Sequence, residues 1–582
     1  MKLQTAHVTN FRSVEDSEAF EVGPITCLVG KNEAGKSAVL LALAALNPHD
    51  ATPAVLDKER DYPRRYLTLY EGRHPDGDAV AVTTTWLLEE HDMVAVREAL
   101  GEGVLTSDTV TVRRRYGHRV ELVDPDVDYR RAVANLLDRF ELDAQERAQV
   151  GDVGTSSDLV KVLGALEEPS PRHKALVAHL KDKGIVRSQI EGIVLRSLPK
   201  FMYFSSYDRM EGAVQIEQAA AMIADGRITE DQFRGIRLFT EFLDYAGVSM
   251  SEITEVSTYE TFNARLQAAS NNITDQILEY WTQNPDLNVV VRIEQARAGD
   301  PVPFNKGTIA RARVENQLHR VDTPFSERSA GFVWFFSFLV KFAQVKDEKS
   351  PVILLLDEPG LTLHGTAQGD LLRFFRERLG PHHQIVYSTH SPFMVPADDL
   401  PSVRVVEDQV VTRGARRTPA GTKVRSNVLS TDPDTVFPLQ GALGYEISQS
   451  LFVGKNTLLV EGPGDILYLQ ALSDALRRRG RTGLDARWTL CPAGGIDKIR
   501  PFVSLFKGNH LEVAVLSDMA IGARSRKSAS RTSSRPATSS RWRTSSSDRR
   551  RTSKTCSNPR PSPTSSTAPT RSLPTSSSPP PD

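Results

Sequence analysis

A chain of 582 residues with 40% hydrophobic and 25% charged residues has the make-up of a soluble globular protein, with room for roughly two to four domains. No run approaches ~18 consecutive apolar residues, which excludes an ordinary membrane-spanning helix, and the opening Met1-Lys2-Leu3-Gln4 leads into a strand pattern without a signal-peptide apolar core. Three scattered cysteines (Cys27, Cys491, Cys556) argue against a disulfide framework and fit a reducing cytoplasm, and the net charge of -1 combines a basic tail with an acidic body that does not advertise DNA binding, so any nucleic-acid contact must come from a local basic patch.

The first 30 residues predict strands over 2–8 and 25–29, with a turn at Asn10-Phe11-Arg12-Ser13. Gly30-Lys31-Asn32-Glu33-Ala34-Gly35-Lys36-Ser37 then matches G-x-x-x-x-G-K-[ST] between a predicted strand and a predicted helix. Glycines let this loop turn its N–H groups toward phosphate at a helix N-terminus. Lys36 then neutralises β- and γ-phosphate charge, and the Ser37 hydroxyl ligates Mg²⁺.

Further strands are expected near 66–70 and 79–87, and residues 128–286 read as a mainly helical insertion. Within it, Phe201-Met202-Tyr203-Phe204 has the look of a core strand. Phe262, Leu266, Ile273, Ile277 and Trp281 form an apolar stripe at helical spacing. Ordinary packing is the first reading of that stripe, a dimerisation surface the second.

Strand–helix alternation returns from about 287. Ser329-Ala330-Gly331 opens a strongly apolar helix, where Ser329 and Gly331 make either a second anion site or a simple cap. The buried-strand run Val352-Ile353-Leu354-Leu355-Leu356 ends in Asp357-Glu358-Pro359. A carboxylate there suits Mg²⁺, assigned to Asp357, and its neighbour suits the general base, Glu358. A further strand ends in Ser388-Thr389-His390-Ser391. His390, placed to sense a γ-phosphate, is read as functional rather than structural.

A linker is expected around 410–440. Beyond it, Thr457-Leu458-Leu459-Val460-Glu461-Gly462-Pro463-Gly464-Asp465 reads as strand–turn–helix, and Val513-Ala514-Val515-Leu516-Ser517-Asp518 closes another strand. Acids at the C-terminal ends of parallel strands converge in one crevice and suit a divalent metal, making Glu461, Asp465 and Asp518 candidates. Residues 519–582 then change character, with Ser, Arg, Thr and Pro at 48 of 64 positions and 13 basic against 2 acidic residues. Such a segment cannot offset its ordering entropy and is expected to be disordered. The abrupt change after a strand reads as out-of-frame translation, with a natural basic tail as the alternative.

Taken in order, these elements resemble the ABC-type ATPases of the structural-maintenance and RecF group. Asn10-Phe11-Arg12-Ser13 is similar to its N-terminal turn and Ser329-Ala330-Gly331 to its shortened signature. Leu356 to His364 resembles Walker B with the D-loop, and Ser388 to Ser391 the switch loop. Asp61-Tyr62-Pro63-Arg64 and Leu198-Pro199-Lys200-Phe201-Met202-Tyr203-Phe204 narrow the resemblance to the OLD (overcoming lysogenization defect) family, over roughly residues 1–518.

The resemblance implies an α/β fold: an ABC-type P-loop ATPase head split into 1–127 and 287–430 around the insertion 128–286. A partial Toprim-like nuclease domain follows over 450–518, then the tail 519–582. It further implies a homodimer or higher homo-oligomer in which Ser329 and Gly331 reach the γ-phosphate of another subunit, with ATP, Mg²⁺ and DNA as ligands. At the Toprim-like site, Glu461, Asp465 and Asp518 would hold Mg²⁺ or Mn²⁺ for phosphodiester hydrolysis. The sequence departs from that pattern at Ala520, where a second strand-end Asp is usual, so DNA cleavage is expected to be impaired. The competing expectations are a DNA-binding repair ATPase that does not cut and, less favoured because of the long insertion, a transporter's ATPase subunit.

Overall fold

A computed structural model of the chain describes residues 1–49, 56–75, 77–117, 120–250, 253, 260–280, 286–345, 352–396, 399–413, 416–426, 456–485, 487–492 and 512–517. They divide into two compact units, one comprising Met1–Gly454 with Thr489–Cys491, the other Lys455–Trp488 with residues from Pro492 on. Among the described residues no helix is long and apolar enough to cross a membrane.

The larger unit is organised by a six-stranded sheet in the order Arg416–Arg425, Val403–Arg413, Ile25–Val29, Ile385–Thr389, Val352–Asp357, Lys200–Ser205. All neighbours run parallel except the first pair, an antiparallel hairpin. Parallel strands covered on both faces read as unbroken apolar runs. Accordingly, Val352–Asp357 and Ile385–Thr389 are buried at every position. Successive side chains enter two different cores, Val352, Leu354 and Leu356 on one face, Ile353 and Leu355 on the other.

The first core receives the helices Arg234–Tyr245, Glu260–Tyr280 and Ala330–Val345. Phe332, Trp334, Phe336 and Phe338 of the last are each at most 2% exposed. Burying each such ring contributes about 1.5–3 kcal/mol before entropy is charged against it. The few polar atoms on that helix are matched: Trp334 Nε1 donates to the Ser205 carbonyl at 2.8 Å, and the Ser337 hydroxyl accepts the Met210 N–H at 2.7 Å. The second core packs the helix Lys36–Ala44 between the central sheet and an antiparallel sheet that includes Lys2–Phe11, Val80–Leu87, Thr109–Arg115 and Val120–Val123.

Three expectations are corrected. Residues 66–70 form no strand: Arg64–Leu69 is a 3₁₀ turn running into the short helix Tyr70–Arg73. Aromatic packing overrides the alternating pattern there, with the Tyr70 ring edge-on to Tyr62 at 4.8 Å. The first part of the expected linker is instead the hairpin Val403–Arg413 with Arg416–Arg425, added to the sheet edge, and 427–440 lie outside the described residues. The turn expected at residues 10–13 is shorter, since strand Lys2–Phe11 runs through Asn10 and Phe11 and returns as Val14–Asp16.

The apolar stripe is core: Phe262, Leu266 and Ile273 are buried, and its helix packs on strand Leu287–Gln295, where Asn263 Oδ1 accepts the Ile293 N–H at 2.7 Å. Ile277 and Trp281 are among the side chains the structure does not describe. Within the stretch 128–286, strand Lys200–Ser205 forms the end of the central sheet beside Val352–Asp357.

In the smaller unit, strand Asn456–Val460 pairs in parallel with Glu512–Val515, and helix Pro463–Arg478 follows the first. Ile466 of that helix is buried while Leu467, Tyr468 and Leu472 are 67%, 74% and 60% exposed. The tail 519–582 lies outside the described residues.

Candidate nucleotide site

Parallel strands end at one edge of the sheet, and the order found here puts Ile385–Thr389 between the strand that feeds the P-loop and the strand that ends in Asp357. Residues following each of these three strands therefore meet. Lys36, 5% exposed, sits at the first position of its helix and folds back into its own loop. Its ammonium donates to the carbonyls of Gly30 at 2.8 Å and Lys31 at 3.0 Å, and lies 3.2 Å from Glu358 Oε1. The other Glu358 oxygen is 2.8 Å from His390 Nδ1. Burial alone raises the Glu358 carboxyl pKa, but the His390 hydrogen bond and the Lys36 charge outweigh it, so the group is held below the usual glutamate value and is ionised at neutral pH.

Asp357 is 8% exposed and gripped from both sides. The Ser388 hydroxyl donates to Oδ1 at 2.6 Å, and the Tyr203 hydroxyl donates to Oδ2 at 2.8 Å. Ser388 Oγ also accepts the Glu358 N–H at 2.9 Å, so one serine ties both acids to the middle strand. Burial and the neighbouring Asp357 push the Tyr203 phenol pKa up, keeping it a neutral donor. Sequence reading missed Tyr203 and gave Ser388 no role of its own. The available signal was a tyrosine inside an apolar strand, whose hydroxyl needs a partner when buried.

The loop itself is shaped by close approach. A Cβ on Gly30 would stand 2.2 Å from the Val406 carbonyl oxygen. Gly35 has φ +99°, and a Cβ there would lie 2.3 Å from Thr422 Oγ1 and 2.9 Å from Ser13 Oγ. Lys31, Asn32 and Glu33 are exposed, Ala34 is buried, and Ser37 is exposed on the first turn of the helix.

The Asn10–Ser13 segment is pinned beside the loop by Arg12, whose Nε and Nη2 both donate to Asp61 Oδ1 at 3.0 Å. Burial raises the Asp61 carboxyl pKa, yet Arg60, the Asp57 N–H and Arg12 together hold it below the ordinary aspartate range.

The remaining sequence candidates fall elsewhere. The Ser329 hydroxyl accepts the Phe332 N–H at 3.4 Å, a helix cap. A Cβ on Gly331 would meet Leu363 Cδ2 at 2.4 Å, so this glycine lets the apolar helix close on the segment after the acid pair. Glu461 follows strand Asn456–Val460 in the smaller unit, and Asp465 Oδ2 accepts the Gly462 N–H at 2.8 Å, capping the helix. Asp518 lies outside the described residues. Among the described residues, Glu89, His91 and Asp92 form the one group of three acidic, histidine or cysteine side chains close enough to share a metal, and none of them is a candidate above. There the Met1 ammonium lies 2.9 Å from Glu89 and 3.0 Å from Asp92.

Arg12, Glu33 and Glu358 hold positive φ values of 50°, 66° and 50°. Non-glycine residues rarely adopt this region, and when they do, functional sites are where they gather.

Residues 245–395 match the family model of the AAA ATPase domain, a stretch that contains Ser329, Gly331, Asp357, Glu358 and His390. No curated protein matches the chain. Solved structures similar to it include the SMC head domain from Thermotoga maritima, at 13% identity and a TM-score of 0.29, covering 73% of this chain and 98% of that one. The Smc head domain with an extended coiled coil, bound to the C-terminal domain of ScpA derived from Pyrococcus furiosus, is 13% identical with a TM-score of 0.30, covering 72% and 95%. The SmcHead bound to the C-winged helix domain of ScpA is 11% identical with a TM-score of 0.32, covering 73% and 97%. The chain thus carries, within its P-loop α/β unit, a segment of the AAA ATPase type.

Proposed function

We propose that the chain binds ATP at the P-loop and hydrolyses it with Glu358 as general base. The observation that carries this reading is the 3.2 Å approach of Lys36 Nζ to Glu358 Oε1, joining two segments more than 300 residues apart. Loop N–H groups and the Lys36 ammonium hold the β- and γ-phosphates. The Ser37 hydroxyl and the Asp357 carboxylate are hard oxygen donors of the kind Mg²⁺ takes alongside phosphate oxygens. Held by these residues, Mg²⁺ would supply charge neutralisation to the phosphates. Glu358 accepts a proton from water as the water oxygen bonds to the γ-phosphorus and the bridge to ADP breaks. His390 orients Glu358 through its Nδ1 contact, and its other ring nitrogen is the group that would sense the γ-phosphate.

By resemblance, Ser329 and Gly331 complete the site of a second copy, making the working form a homodimer that acts on DNA. The OLD-type reading extends to the smaller unit, with Glu461, Asp465 and Asp518 as ligands for Mg²⁺ or Mn²⁺. Ala520, where a second strand-end acid is usual, supports impaired cleavage. A DNA-binding repair ATPase that does not cut is the alternative for the whole chain.

Steady-state ATP turnover by the purified chain, compared with Lys36→Ala, tests the first claim; equal turnover in the two would end it. Metal-dependent plasmid nicking, with Glu461→Ala as control, separates the two DNA readings. Nicking abolished by that substitution supports the nuclease, and no nicking in Mg²⁺ or Mn²⁺ supports the alternative.

A further inference from the structure

We infer that Tyr203 is a positioning residue for the metal carboxylate, its phenol hydroxyl and the Ser388 hydroxyl fixing the orientation in which Asp357 meets Mg²⁺. The inference rests on the ATPase reading above and adds a residue from a fourth strand to it. Tyr203 stands in Lys200–Ser205, paired in register with Leu355, so its side chain rises beside the end of the acid strand. Its hydroxyl reaches Asp357 Oδ2 at 2.8 Å, while Ser388 takes Oδ1 at 2.6 Å.

A carboxylate oxygen has two lone-pair directions, so one hydroxyl on each oxygen leaves one direction free on each and stops the group rotating about its Cβ–Cγ bond. A metal ligand held this way needs no reorganisation when the ion arrives. The end of the Tyr203 strand is itself secured. Asp208 Oδ2 accepts both the Ser205 N–H at 2.6 Å and the Ser205 hydroxyl at 2.7 Å, and the Ser206 N–H donates to the Asp357 carbonyl at 3.0 Å. The donor is therefore placed by backbone, and the tyrosine ring has no other polar atom to spend.

Tyr203→Phe deletes the hydroxyl and little else. In the full chain at saturating ATP, the Mg²⁺ concentration giving half-maximal turnover should rise about three- to tenfold, the scale of one charge-assisted hydrogen bond partly lost. Nucleotide affinity measured in EDTA should stay as in the parent, a separation that a general loss of structure would not produce. An unchanged Mg²⁺ requirement, with Asp357→Asn inactive, overturns the role of Tyr203 and leaves the ATPase reading standing. Full turnover by Asp357→Asn overturns that reading and this inference with it. Should Tyr203→Phe melt below the assay temperature, Ser388→Ala removes the other hydroxyl from the same carboxylate. It must then raise the Mg²⁺ requirement likewise, and no shift counts against the proposal.

Discussion

Replacing Glu358 with glutamine keeps shape and removes charge, and the site geometry fixes what should follow. The carboxylate does two separable things: it lies 2.8 Å from His390 Nδ1 as an ionised base, and 3.2 Å from Lys36 Nζ as a counter-charge. Losing the base should lower kcat by about 10²- to 10⁴-fold, or about 2.7–5.5 kcal/mol in the barrier. Losing the counter-charge acts the other way on binding. At an effective dielectric near 20, two charges at this separation attract by about 5 kcal/mol, most of it offset by desolvation. An incoming phosphate must compete with Glu358 for Lys36, so Glu358→Gln should bind ATP about tenfold more tightly, a net of about 1.4 kcal/mol. Single-turnover hydrolysis and equilibrium titration with a fluorescent ATP analogue measure the two effects independently. A kcat within twofold of the parent refutes the general-base role. A loss of affinity parallel to the loss of rate refutes the counter-charge argument, because Glu358 would then be supporting Lys36 rather than competing for it.

Gly35→Ala sets a Cβ at φ +99° and 2.3 Å from Thr422 Oγ1, costing about 2–4 kcal/mol from backbone strain and overlap together. The denaturation midpoint should fall at constant slope, and adding Thr422→Ala should recover part of the loss; no recovery would place the strain elsewhere. Asp61→Asn should cost about 2 kcal/mol at neutral pH, since the carboxylate, 2% exposed, accepts from Arg12, Arg60 and the Asp57 N–H. Because its folded-state pKa is lowered, the stability it supplies is complete above the unfolded-state value, about 3.9, and is lost as pH falls through the folded-state value. Melting temperature plotted against pH should thus fall less steeply below about pH 4 in the variant than in the parent; parallel curves would contradict the linkage.

The nucleotide loop and the acid pair were legible because their chemistry demands particular residue types at fixed spacing. The central strands were legible because burial on both faces leaves an unbroken apolar run. What escaped depends on partners distant in sequence. Tyr203 reads as one more large residue in Phe201-Met202-Tyr203-Phe204, and only the fold brings its hydroxyl to an acid 154 residues on. Val406 and Thr422 carry no pattern because they act by proximity, occupying the space that a side chain on Gly30 or Gly35 would need. The hairpin over 403–425 overlaps the expected linker because its second strand, rich in Arg and Thr, is an edge strand with little apolar demand. Tyr66-Leu67-Thr68-Leu69-Tyr70 shows strand alternation, yet Tyr62, Tyr70, His74 and Tyr116 pack as one aromatic cluster that a strand could not supply.

Strain at the site also explains why the middle strand matters more than its apolar sequence implies. Glu358 at φ +50°, directly before a proline, occupies backbone space costing about 1–3 kcal/mol, and something must hold it there. The Ser388 hydroxyl does so at the backbone, accepting the Glu358 N–H, while donating to the side chain of Asp357. Two residues beyond Ser388, His390 holds the Glu358 side chain. At the next position the Ser391 hydroxyl donates to Gln368 Oε1, and the amide of Gln368 donates to the Gly360 carbonyl at 2.8 Å, closing a loop of contacts around the acid pair. A displacement of the Ile385–Thr389 strand end therefore cannot move one acid alone. Asp357 and Glu358 are mechanically one unit, and under the proposed ATPase reading the segment from Ser388 to Ser391 is where a γ-phosphate or a second subunit would act on both at once.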